Sequence, residues 1–136
     1  MLALALSGRA QSALRADAFK GYLYNSEYQV FLRINFADNN VVSATQPMFG
    51  EMPGYLGARR DPREWFITSA KVTGKRSAKL CITNDYGSED LTATLTCDND
   101  TTFTLTQDSG SRMRIAVNRK WVKLPAKMVF VRQRKP

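Results

Sequence analysis

From Tyr28 onward the side chains alternate in character. Val30, Leu32, Ile34 and Phe36 are separated by Phe31, Arg33 and Asn35. Further on, Leu91, Ala93, Leu95 and Cys97 are separated by Thr92, Thr94 and Thr96, and Phe103, Leu105 and Gln107 by Thr104 and Thr106. A period of two belongs to β-strands, whose successive side chains point to opposite faces. Each run therefore predicts a half-buried strand with one apolar face. Short segments rich in Asn, Asp and Gly separate the runs, at 37–40, 73–76, 84–87, 98–100 and 108–111. Asx side chains bond their own backbone and tolerate left-handed geometry, so these segments predict turns. Further strands are expected at 41–46, returning from the turn at 37–40, and at 65–72, 78–83, 113–117 and 127–133.

The fold expected is all-β, an antiparallel meander of about eight or nine strands. Sequential hairpins of that number hide their edges by closing on themselves. The expectation is an up-and-down barrel, with a two-sheet β-sandwich as the alternative. Thr83-Asn84-Asp85-Tyr86 resembles the Thr-Asp-Tyr turn of the lipocalin group, with one Asn inserted. That group's Gly-x-Trp would fall at Gly21-Tyr22-Leu23, where Trp is missing. The likeness to lipocalins is one of architecture, and it implies a lipocalin-like barrel.

Two readings stand for residues 1–18. Met1 to Leu6 is apolar and is followed by small residues around Ser7 to Ala13, as in the tail of a secretory signal, but without a positive leading segment. Alternatively, Leu2, Leu6, Ala10 and Leu14 recur at helical spacing. The segment reads as a signal-peptide remnant or an N-terminal helix, and 19–136 as a single all-β domain. The first reading makes the protein secreted or periplasmic; otherwise it is cytoplasmic. Cys81 and Cys97 could bond in an oxidising compartment, but the alternation turns Cys97 inward with Leu95 and Cys81 outward, opposite to Leu80 and Ile82.

The absences are informative. The chain has no histidine and only two cysteines. It therefore lacks the commonest general base and the commonest metal ligand, and cannot close a Cys/His zinc site. Ser-His-Asp and Cys-His nucleophiles are excluded. No glycine-rich phosphate loop and no membrane-length apolar run occurs. Asp98-Asn99-Asp100-Thr101-Thr102 matches the string of aspartyl-nucleophile phosphatases, but it sits in a hairpin and not at the end of a parallel strand. No catalytic residue, metal site or cofactor is assigned, and binding is preferred to catalysis.

Charge is distributed in blocks. The net charge of +8 is the sum of balanced residues 1–56, +5 over 57–79, −6 over 80–111 and +9 over 112–136. Such asymmetry makes a directed field and favours an anionic partner. Residues 47–63 are expected to be a long loop, carrying apolar side chains among Gly and Pro and ending in an arginine cluster. They are read either as a lid over a pocket or as a plug in one barrel end. Tyr55 and Trp65 would give apolar contact there, and Arg59, Arg60 and Arg63 anion contact, for a small anionic or amphipathic ligand or an acidic protein. A second candidate is the segment joining the last strands, with Arg112, Arg114, Lys120, Trp121 and Lys123, where cations interleave with an indole. That pattern also suits nucleic acid or an anionic surface. Thr92, Thr94, Thr96 and Thr102, Thr104, Thr106 form a hydroxyl-bearing hairpin face, expected to pair 96 with 102 and 94 with 104. Thr is a favoured solvent-side strand residue, so this face needs no special role.

Overall fold

The computed structural model describes residues 18–74 and 76–134. The two readings of 1–18 thus fall, but for Ala18, on residues outside those described. Twelve strands follow in order: β1 (Lys20–Asn25), β2 (Val30–Asn35), β3 (Val41–Val42), β4 (Glu51–Met52), β5 (Gly54–Ala58), β6 (Asp61–Val72), β7 (Ser77–Asn84), β8 (Asp90–Cys97), β9 (Thr102–Gly110), β10 (Arg114–Val117), β11 (Lys120–Lys123) and β12 (Lys127–Gln133). Eight of them close an antiparallel barrel in the order β1-β12-β9-β8-β7-β6-β5-β2. The expected up-and-down barrel is therefore present. Two hairpins leave its wall: β3–β4 between β2 and β5, and β10–β11 between β9 and β12.

The inward residues form one contiguous core. Leu23, Val30, Leu32, Ile67, Ala78, Ala93, Leu95, Phe103 and Phe130 are all 0% exposed. A hollow wide enough for a ligand would leave such side chains accessible surface on its walls. An eight-stranded barrel is just wide enough for side chains to fill, and these fill it. One end is closed by Phe19, which stacks on Phe36 at 5.4 Å and meets Phe103 at 6.1 Å. At the other end Ile115 of β10, together with Met113 and Leu124, joins the same core as Trp65.

Asparagine ends several strands, and its role is local. The Asn25 side chain accepts from Tyr28 N–H, Asn35 from Asp38, Asn84 from Ser88 and Glu89, and Asn99 from Thr101 and Thr102. These are Asx turns of the kind the sequence signals. The four-residue connection at 98–101 pairs Cys97 with Phe103, so Thr96 faces Thr104 and Thr94 faces Thr106. This corrects the expected pairing of 96 with 102, which allowed too few residues for the Asx turn. Three of the outward hydroxyls are engaged: Thr104 donates to Asp98 at 2.5 Å, Thr94 to Asp108 at 2.7 Å, and Thr92 bonds Ser109 at 2.7 Å. Asp98, first residue of the phosphatase-like string, thus lies in a connection between antiparallel strands. Cys97 is buried, Cys81 is exposed, and both are free, as the phase of the alternation requires.

The largest departure from expectation is at 47–63, which is not a loop. It comprises a short 3-10 turn (Pro47–Phe49), β4, the barrel strand β5, and the start of β6. The glycines there suggested irregular chain, but they mark a close approach between strands. A Cβ on Gly54 would lie 2.4 Å from the Arg33 carbonyl oxygen, and one on Gly57 would lie 2.5 Å from the Phe31 ring. Glycine within a strand commonly marks such contact. Likewise, 41–46 does not return along β2. Only Val41 and Val42 are in a strand, and they pair with Met52 and Glu51. Residues 37–53 thus form a flap outside the barrel wall. Gly54→Ala should lower stability by about 1–3 kcal/mol through overpacking against backbone. Urea denaturation checks this, and an unchanged midpoint would contradict the close-packing account.

Candidate functional site

The flap covers a second, smaller core on the outer face of β5 and β6. Met52, Tyr55 and Phe66 are buried there, with Phe31 and Val41 packed against them. Beside this core lies a polar latch. Ser43 donates to Glu64 Oε1 at 2.5 Å, and Gln46 Nε2 reaches both Glu64 Oε1 at 3.4 Å and Asp85 Oδ2 at 3.0 Å. The Glu64 backbone N–H also donates to Asp85, at 3.3 Å. Glu64 is 4% exposed, so its carboxylate depends on these partners in place of water. The latch ties the flap to β6 and to the turn after β7.

Tyr55 is therefore an anchor beneath the flap, 1% exposed and out of reach of a ligand in solution. Burial raises its phenol above the ordinary 10.0, with Glu64 adding in the same direction against the lowering effects of the Ala44 backbone and Arg33. Trp65 is also buried. It points inward, and its indole N–H donates to the Arg114 carbonyl at 3.1 Å. Arg59 and Arg60 form the exposed turn between β5 and β6. The Arg59 guanidinium lies 4.5 Å from the Tyr24 ring, and Arg60 donates to the Gln29 side chain at 3.0 Å.

Arg63 belongs to a different grouping, one that unites the two sequence candidates. Its guanidinium lies 4.4 Å from the Trp121 ring, and that of Arg114 lies 5.3 Å from the same ring. Trp121 is nevertheless 56% exposed. It projects from β11, which was expected to be a connecting segment and is instead a strand paired with β10. Lys120 and Lys123 are exposed on the same strand, and Arg112 and Arg119 are exposed nearby. Arg112 also reaches the Leu124 carbonyl at 3.4 Å.

Two carboxylates set this geometry, and neither was singled out from the sequence. Glu89 pairs with Arg114 at 2.8 Å and aims its guanidinium. Asp61 is 6% exposed; its Oδ2 accepts the Ala116 N–H at 2.8 Å and lies 3.9 Å from Arg63. Asp61 therefore ties hairpin β10–β11 to the start of β6, where Arg63 follows two residues later. The acidic block over 80–111 hinted at Glu89. Asp61 was hidden within a segment counted as basic.

Between these groups runs a crevice of about 210 Å³, lined by Arg63, Trp65, Glu89, Arg114 and Trp121 along with residues of the β7–β8 turn. Among the described residues, no cluster of three or more Cys, Asp or Glu is arranged to hold a metal ion.

No family model matches the chain, and no curated protein matches it. Among solved structures it is similar to the crystal structure of Treponema pallidum Tp0751 (Pallilysin). The TM-score is 0.52 at 12% identity, over 93% of this chain and 97% of that one. At that identity the likeness is one of fold alone, a barrel in both cases.

The buried phenol gives a pH test of the flap. The unfolded Tyr55 ionises near 10.0 while the folded one remains neutral. Its share of stability is therefore intact below that pH and falls as pH rises above it. In Tyr55→Phe, which has no phenol to ionise, the thermal midpoint should fall less steeply over the alkaline range. Parallel curves for the two proteins would show that the phenol is not buried in solution.

Proposed function

We propose that this chain is a binding domain that captures an acidic protein partner through the basic hairpin end of its barrel, and that it is not an enzyme. The observation that carries this reading is Trp121, a large indole left 56% exposed between the guanidinium groups of Arg63 and Arg114. Trp and Arg dominate the energetics of protein interfaces, because each combines large area with directional polar contact. The ring and cations are already packed together, so little side-chain entropy remains to be lost on binding. Arg119, Lys120 and Lys123 around them supply the field that draws an acidic surface in.

A small-molecule ligand fits less well. The barrel interior is filled, and the crevice beside Trp121, about 210 Å³, is smaller than the ~300–1,000 Å³ typical of small-molecule sites; a roomier cleft of about 420 Å³ lies beside the flap at Phe49, Met52 and Phe66, with no cation in its lining.

Calorimetric titration with a glutamate-rich peptide at low salt tests this, with single-stranded RNA and duplex DNA run in parallel. The peptide should bind, and added salt should weaken it. Trp121→Ala should lose about 30-fold in affinity, the effect of a hot spot worth about 2 kcal/mol. Failure of the peptide to bind at low salt, or tighter binding of either nucleic acid, would overturn the reading.

A further inference from the structure

The hairpin carrying Trp121 has two edges, and they are used differently. Asn118 and Arg119 form its two-residue turn with φ of 53° and 67°, the geometry of a type I′ turn. In such a hairpin the pairs nearest and next-but-one to the turn exchange both backbone bonds. Here those pairs are Val117 with Lys120 and Ile115 with Val122. The backbone polar groups of Arg114 and Ala116 therefore point outward from β10, and those of Trp121 and Lys123 outward from β11.

On β10 the barrel satisfies two of these four groups: Ala116 N–H donates to Asp61, and the Arg114 carbonyl accepts from Trp65. On β11, among the described residues, no group pairs with the N–H or C=O of Trp121 or Lys123. Exposed strand edges of this kind are templates for another strand.

We propose that the β11 edge accepts an extended acidic segment of the partner as an added strand, an inference that rests on the acidic-partner reading. The two outward-facing residues offer four backbone groups to such a segment. Alternate side chains of the added strand would lie on the face that carries Trp121, Lys123 and Arg114, because β-strands present every second residue to one face. Acidic groups at those positions meet cations. A second copy of β11 would instead bring Lys120 and Lys123 against their own kind, so the edge discriminates against self-association.

The test compares two peptides of alternating Glu and Thr, one ordinary and one with every backbone amide N-methylated. Their charge is the same, but only the first can pair as a strand. The ordinary peptide should bind about tenfold or more tightly, as expected for the loss of one or two net hydrogen bonds. From the protein side, Lys123→Pro and Lys123→Ala both remove the charge, and only Pro removes the outward N–H. Proline is tolerated at an edge position of this kind. Lys123→Pro should therefore bind the ordinary peptide about tenfold more weakly than Lys123→Ala. Equal binding of the two peptides, or of the two variants, would overturn strand addition and leave the acidic-partner reading intact. Binding of neither peptide at low salt would overturn both.

Discussion

The inward side chains of the barrel strands are mostly apolar, and the closed ladder leaves them nowhere to go but against each other. Everything else in the molecule follows from that filled interior. Leu32, Leu95, Phe103 and Phe130 pack at the centre; Phe19 with Phe36, and Ile115 with Met113, seal the two ends. With core side chains filling the barrel, the chain's polar chemistry lies on its outer face and at one end. The two hairpins that leave the wall carry it. One folds over Tyr55 and Phe66 as a flap and latches through Ser43, Gln46 and Glu64. The other projects Trp121 between two arginines.

Much of the barrel was legible in the alternation of residue types, and the reason is physical. In β8 and the first half of β9 an apolar face opposes a Thr-rich face, so the phase can be read directly. The same phase placed Cys81 outside and Cys97 inside. Where legibility failed, a residue's usual meaning was overridden by a neighbour distant in sequence. Gly54 and Gly57 read as loop punctuation because nothing local shows that the Arg33 backbone and the Phe31 ring lie against them. Val41 was assigned to a hairpin with β2 because its actual partner, Met52, comes after an intervening turn.

The candidate site was legible in its ingredients but not in its assembly. Block charges identified a basic C-terminal region, and the interleaving of cations with Trp121 marked the hairpin. The meeting of Arg63 with Arg114 and Trp121 depends on Asp61, whose carboxylate holds the Ala116 backbone across the barrel end. Pairing over such a separation in the chain leaves no periodic trace. The acidic Glu89 then orients Arg114, so that the negative block serves to position the positive one.

The central claim is that this protein acts through its outer hairpin end and not through its core. Amide NMR during addition of a glutamate-rich peptide tests it most directly. Shift changes are expected only in the neighbourhood of residues 59–63 and 112–123. Changes centred on inward-facing residues such as Leu32, Leu95 and Phe130, or at the Phe19 end, would contradict it.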